Sequence, residues 1–215
     1  MALQRGQLPR GVYLITPDWA DTARLVGAVS ASIRGGAGAV QYRNKTADGV
    51  LRRQQAGALA QLVQSVGLPF FVDDDPALAV EVSADGLHIG HADGDPKQVR
   101  ATLPAAMMLG VSCYADLALV ARAIEAGAAY VAIGAMFPSR TKVGAAVAPL
   151  ERIAQARQLG AHVVASGGVG SDNIALVAAA GADATGVVSA IFDAADPTAA
   201  TADLVARFAM GVQAR

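Results

Sequence analysis

Two cations, an amide and a run of carboxylates fall where short apolar segments end, and that set of groups can hold a phosphorylated small molecule with the help of a divalent metal. Gln41-Tyr42-Arg43-Asn44-Lys45 closes one apolar segment, and strand alternation points Gln41, Arg43 and Lys45 to the same side. The next segment, Phe70-Phe71-Val72, turns abruptly into Asp73-Asp74-Asp75 before Pro76. Carboxylates there either bind Mg²⁺ or cap the helix that the proline starts, and both roles are expected, divided among the three. The segment after that runs into Gly90-His91-Ala92-Asp93. Asp74 and Asp93, on neighbouring strands, form a candidate two-carboxylate Mg²⁺ site of the incomplete kind that leaves coordination positions for substrate phosphates.

Further along, Ser112 ends an apolar run, and its neighbour Cys113 reads as a small buried residue without a partner base. His88, inside its own run, reads as a hydrogen-bonded structural histidine. The stretch Gly134-Ala135-Met136-Phe137-Pro138-Ser139-Arg140-Thr141-Lys142 has the length and content of a loop that closes over an anion. Ser166-Gly167-Gly168-Val169 and Val187-Val188-Ser189 resemble phosphate loops, in which glycine lets backbone N–H groups approach the ligand and a short helix adds its dipole.

These groups require a scaffold that brings many strand ends to one rim. The chain has 215 residues, 53% hydrophobic and 16% charged, which favours strands covered on both faces over a disordered or polyanion-coating protein. Eight strand candidates alternate with helical segments: Gly11–Thr16, Ala39–Arg43, Pro69–Asp73, Gly86–Ile89, Met107–Ser112, Tyr130–Gly134, His162–Ser166 and Ala184–Ser189. Helices are expected over spans such as Ala47–Val66, Asp116–Ala126, Leu150–Leu159 and Asp172–Ala180. Four similar junctions, around Gly35-Gly36, Ser83-Ala84-Asp85-Gly86, Gly127 and Gly181, look like αβ turns in which the helix ends at or near a glycine.

The fold expected is therefore a single-domain (β/α)₈ TIM barrel over residues 1–215, with catalysis at the C-terminal ends of its strands. The alternative, an open doubly wound sheet, lacks a G-x-G-x-x-G after the first strand. A net charge of −1 supplies no general attraction for nucleic acid, and no apolar run is long enough for a bilayer. One cysteine and no secretory pattern suggest a cytoplasmic protein. With one anion site at the second to fourth strands and another at the seventh and eighth, two phosphorylated substrates can face each other. That favours group transfer over isomerisation of one sugar phosphate.

At the level of motifs the chain resembles the thiamine phosphate synthase family. The matching pieces are Gln41-Tyr42-Arg43-Asn44-Lys45, Val72-Asp73-Asp74-Asp75, Ala84-Asp85-Gly86-Leu87-His88-Ile89-Gly90, Gly110-Val111-Ser112, Phe137-Pro138-Ser139-Arg140-Thr141-Lys142, Gly167-Gly168-Val169 and Val188-Ser189-Ala190-Ile191. Singly they are weak; in order and at this spacing they are specific. The resemblance implies that hydroxymethylpyrimidine diphosphate is joined to a thiazole phosphate, with release of diphosphate. It also implies dissociative C–O cleavage, capture of the methylene cation by the thiazole nitrogen, and a homodimer.

By the same resemblance Gln41, Arg43, Lys45, Asp74, Asp93, Ser112 and Lys142 match the pyrimidine diphosphate and Mg²⁺ site. Ser139, Thr141, Gly168, Val188 and Ser189 match the thiazole phosphate site. The chain departs from the family pattern at Asp73, usually Asn, at His91-Ala92, which replace a polar-acidic pair, and at Ser166, where a small apolar residue is common. An extra carboxylate at Asp73 would repel a diphosphate unless a metal, a basic side chain or a proton offsets it. It keeps alive a non-catalytic phosphate-ligand sensor as an alternative. A thiazole tautomerase-like isomerase is the other, and Arg43, Lys45, Asp74, Asp93 and Lys142 argue against it.

Overall fold

Eight short β-rich runs become eight parallel strands: β1 (Gly11–Ile15), β2 (Ala39–Tyr42), β3 (Phe70–Asp73), β4 (Gly86–Ile89), β5 (Met108–Tyr114), β6 (Tyr130–Ile133), β7 (Val163–Ser166) and β8 (Ala184–Val187). In the computed structural model, which describes residues 8, 11–90, 92–138 and 146–214, each strand pairs with the next and β8 returns to β1, closing the barrel. Helices α1 (Thr22–Arg34), α2 (Gly49–Ser65), α3 (Pro76–Glu81), α4 (Pro96–Thr102), α5 (Leu117–Glu125), α6 (Glu151–Gln158) and α7 (Ile174–Ala179) fill the crossovers. After β8 come the single turn α8 (Ser189–Phe192) and the long α9 (Pro197–Gln213), which packs on α7 and α1. The (β/α)₈ expectation holds.

Aspartates start most of these helices. Asp21, Asp48, Asp75, Asp95, Asp116 and Asp196 each accept a backbone N–H of the first turn, and proline follows at 76, 96 and 197. Asp75 is thus the capping member of the Asp73-Asp74-Asp75 run, its Oδ1 accepting Leu78 N–H at 2.9 Å. That leaves Asp73 and Asp74 for chemistry.

Alternation divides the strands between two cores. Outward residues such as Leu14, Val40, Phe70, Leu87, Leu109 and Val163 pack under the helices. Inward residues Tyr13, Ala39, Phe71, Met108, Tyr130, Val164 and Ala184 fill the lumen. Tyr13, Phe71 and Tyr130 meet edge to face at 5.4–5.9 Å. Three large rings fit because neighbouring strands carry glycine: a Cβ on Gly86 would lie 2.4 Å from the Phe71 ring, and one on Gly110 would lie 2.1 Å from Tyr130.

Strand ends match the sequence expectation to within one residue, except for two that differ by two residues. β5 runs past Ser112 to Tyr114, with a register shift against β6 between those residues, so Ser112 lies within the strand near its mouth end. β8 stops at Val187, because the backbone turns at Val188 and Ser189 opens α8. Of the four expected turns, three use glycine at positive φ, Gly36, Gly127 and Gly181; in the other, Ser83 takes φ 53° and Gly86 instead makes room inside the barrel.

At the opposite rim Asp183 staples three strands. It is buried, and its carboxylate accepts Val163 N–H at 3.0 Å and Arg157 Nη1 at 2.5 Å, while its carbonyl receives Gly11 N–H. Burial pushes the Asp183 carboxyl up, but the Val163 N–H, Arg157 and His162 outweigh it and hold the group below the ordinary carboxylate range. A depressed carboxylate contributes stability that is complete above its unfolded pKa and is lost as pH falls through the folded value. Asp183→Asn should therefore cost about 2–3 kcal/mol at neutral pH, since it leaves a buried donor and a guanidinium poorly paired. Thermal melts of the two proteins should converge in acid; a gap that stays constant would remove the charge of Asp183 from the account.

Candidate active site

The loop after β2 is held by hydrogen bonds from its own residues and from the segment after β1. Thr16, just beyond β1, donates its hydroxyl to Arg43 C=O and accepts Arg43 N–H, each at 2.8 Å. Buried Asn44 donates to Trp19 C=O and Gln55 Oε1, and its Oδ1 gathers N–H groups from Thr46 and Ala47. Asp18 completes the clamp, accepting Arg43 Nη1 at 3.1 Å and Lys45 N–H at 2.8 Å. Because β2 ends at Tyr42, these bonds, rather than strand alternation, aim Arg43 and Lys45.

Those two cations and Gln41 converge on Asp73. Gln41 donates its amide to Asp73 Oδ1 at 2.7 Å, and Arg43 Nε and Lys45 Nζ stand 3.8 and 3.7 Å from Oδ2. Lys45 also pairs closely with Asp74. The carboxylate that departs from the family pattern is thus flanked by basic side chains, which offset part of its charge but are shared with Asp18 and Asp74. Asp74 takes φ 60° and gives its N–H to His88 C=O, so β4 fixes where it sits. Asp93, beyond β4, accepts Gly90 N–H at 2.7 Å.

A polar cavity of about 180 Å³ opens among Lys45, Arg52, Asp73, Asp74 and Asp75. Asp18 and Arg52 were missed by the sequence reading. Asp18 is 25 residues from its partner Arg43 and becomes a neighbour only when β1 pairs with β2. Arg52, in the first turns of α2, reaches Asp75 at 3.4 Å; its one local signal is its position just after the Gln41–Lys45 motif.

Across the mouth, the β6 and β7 loops are stitched together by Met136 N–H to Ser166 C=O and Phe137 N–H to Gly167 C=O. Gly168 takes φ 68°, and a Cβ there would stand 2.5 Å from the Phe137 and Pro138 carbonyls, so only glycine fits. Asn173 holds the same loop through Gly168 C=O and Gly170 N–H. Val188 and Ser189 stand at the start of α8 beside it. Ser139, Thr141 and Lys142 lie outside the described residues, as does His91.

His88 is buried at the floor of the mouth, with Nδ1 2.8 Å from the Tyr130 hydroxyl and Nε2 2.9 Å from Ser112 Oγ. The structural role expected for it holds, but it also touches a candidate site residue. Tyr130 in turn meets the Tyr13 hydroxyl at 3.1 Å. Burial holds both phenols well above their ordinary pKa, so both keep their protons. Burial, with Asp116 adding to it, pushes the Cys113 thiol up to about 12, which makes it an inert core residue.

Magnesium needs one or two carboxylates and keeps several waters for exchange with phosphate oxygens. The donor set fits such an ion: among Asp18, Asp73, Asp74, Arg43 and Lys45, three carboxylates face two cations, so a diphosphate entering here needs further positive charge. Among the described residues no cluster of three or more His, Cys, Asp or Glu forms a full protein cage, and no helix is long and apolar enough to cross a membrane.

Comparison with known proteins gives the family. The profile described as thiamine monophosphate synthase matches residues 12–191. A thiamine-phosphate synthase from Chromobacterium violaceum is 46% identical over 198 residues, covering 92% of this chain and 96% of the relative. One from Bordetella pertussis is 46% identical over 211 residues, 95% and 97% of the two chains. The solved thiamine phosphate pyrophosphorylase of Pyrococcus furiosus superposes with a TM-score of 0.83 at 31% identity, covering 97% and 98%. Matches of that length and identity, on a barrel whose polar groups gather at one mouth, mean that the chain belongs to the thiamine monophosphate synthase family.

Proposed function

We propose that the chain is a transferase that joins 4-amino-2-methyl-5-(hydroxymethyl)pyrimidine diphosphate to 4-methyl-5-(2-phosphoethyl)thiazole, giving thiamine phosphate and diphosphate. The observation that carries the site assignment is the convergence of Gln41, Arg43, Lys45 and Asp74 about Asp73 on one rim, opposite the glycine-built loop at Gly168. We assign Gln41, Asp73, Ser112, Arg43 and Lys45 to the pyrimidine diphosphate arm, and Gly168, Val188 and Ser189 to the thiazole phosphate arm. The family motif adds Lys142 to the first arm and Ser139 and Thr141 to the second.

Asp74 and Asp93 would hold Mg²⁺, which supplies charge neutralisation to the diphosphate. Arg43 and Lys45 draw electron density with the leaving group as C–O cleavage proceeds, and Ser112 donates to it. The amino-substituted pyrimidine stabilises the methylene cation, so no strong base and no covalent enzyme intermediate are needed. The two arms keep the thiazole nitrogen in line for capture, which converts an encounter into a positioned step. We place this enzyme in the cytoplasm, as a homodimer whose protomers each act as one catalytic unit.

Incubation with both purified substrates and Mg²⁺ should yield thiamine phosphate and diphosphate in equal amounts. Calorimetric binding of the pyrimidine diphosphate with no release of diphosphate on adding the thiazole phosphate would leave only a sensor. Failure to bind it, with turnover of a thiazole isomer, would leave the tautomerase-like reading.

A further inference from the structure

The hydroxyls and ring nitrogens of Tyr13, Tyr130, His88 and Ser112 form one continuous line from the closed lumen to the open mouth, with successive contacts of 3.1, 2.8 and 2.9 Å. Each contact needs one proton, and while His88 is neutral the protons can be placed in three ways; in one of them Nδ1–H and Tyr13 both donate to Tyr130, which strands the proton of Tyr130 at a residue 1% exposed. If the line runs inward, Ser112 donates to Nε2, Nδ1–H to Tyr130, and Tyr130 to Tyr13. The Tyr13 hydroxyl proton is then left over at a residue 1% exposed, ringed by Phe71 and Tyr130. If it runs outward, Tyr13 donates to Tyr130, Tyr130 to Nδ1, and Nε2–H to Ser112 Oγ. The proton left over is then that of Ser112, which is half-buried and faces the mouth, where a ligand or water can take it.

We propose that this line runs outward: Tyr130 fixes His88 as the Nε2-protonated tautomer, and His88 thereby turns the Ser112 hydroxyl proton toward the mouth as a donor for an anion. Tyr130 and His88 are positioning residues, and Ser112 is the group that touches the ligand. The proposal deepens, and rests on, the reading of this mouth as a diphosphate site. It also excludes a reaction that the 2.9 Å Ser112–His88 contact would otherwise suggest. A nucleophilic serine needs an unprotonated nitrogen to receive its proton, and here that nitrogen already carries one. Stacking of the His88 and Tyr130 rings, 5.5 Å between centroids and 18° apart, restrains the imidazole from turning to exchange the two nitrogens.

¹⁵N spectra of the unliganded protein, with the His88 ring assigned through its bond couplings, should show a pyridine-type Nδ1 and a pyrrole-type Nε2. A pyrrole-type Nδ1, alone or with Nε2, overturns the proposal. That spectrum decides the sense of the line even where a variant does not fold, and it does not depend on turnover. A normal spectrum in a protein that makes no thiamine phosphate would count against the proposed function alone. Calorimetry with inorganic diphosphate and Mg²⁺ gives the second arm. Ser112→Ala and Tyr130→Phe should each weaken binding about tenfold, the value of one hydrogen bond to a charged group. The double variant should bind no more weakly than Ser112→Ala, because Tyr130 acts only through Ser112. Wild-type binding by Tyr130→Phe, or additive losses, would overturn it.

Discussion

Asp74→Asn is expected to lower turnover by about 10²–10³-fold and to raise the Mg²⁺ concentration needed for half-maximal rate, with little change in the melting temperature. Asparagine is the cleaner substitution because Asp74 sits at φ 60°, a conformation that Asn tolerates and Ala does not. Asn also keeps the backbone N–H that β4 receives at His88 C=O. What is lost is one negative charge beside Lys45. Two roles for that charge make opposite forecasts. If Asp74 serves only to hold Lys45, its neutralisation frees a cation for the diphosphate, and the Mg²⁺ requirement stays the same or falls. If Asp74 binds the metal, the requirement rises and the rate falls together. A rate loss with an unchanged Mg²⁺ profile would take Asp74 out of the metal site.

What the sequence disclosed and what it hid follow from distance along the chain. Gln41, Arg43 and Lys45 were legible because strand and loop are contiguous, and their type and spacing alone mark them. Asp75 was legible as a cap in alternative to a ligand because Asp-Pro before an apolar turn is a local signature. Gly167-Gly168 was legible as a special turn, although the carbonyls that exclude a Cβ at Gly168 come from residues 137 and 138. Asp18 was invisible because its value comes from β1 lying beside β2, a fact of register and not of composition. The line through His88 was invisible for the same reason: Tyr13 and Tyr130 are 117 residues apart and meet only when the barrel closes. Asp73 looked like an isolated departure, and the partners that offset part of its charge, Gln41, Arg43 and Lys45, come from another strand and its loop.

The interior holds the other large effect. Gly110→Ala should destabilise the barrel by about 3 kcal/mol or more, the upper range for forced overpacking. The new methyl would lie 2.1 Å from Tyr130 Cζ and 2.4 Å from its hydroxyl oxygen. Neither neighbour can yield easily. Gly110 lies in mid-strand, paired with His88 on one side and Tyr130 on the other. The Tyr130 ring is held by Tyr13, Phe71 and His88, so moving it disturbs the lumen and the His88–Ser112 contact together. For a chain of this length the melting temperature should drop by roughly 6–12 °C. Tyr130→Phe cannot rescue the variant, since the ring carbon remains in the way, whereas Tyr130→Leu should recover part of the loss, a non-additivity expected of residues in contact. A Gly110→Ala protein that melts within a degree or two of the parent would mean that the strands have slack, and the claim that these glycines are sockets for the lumen rings would fall with it.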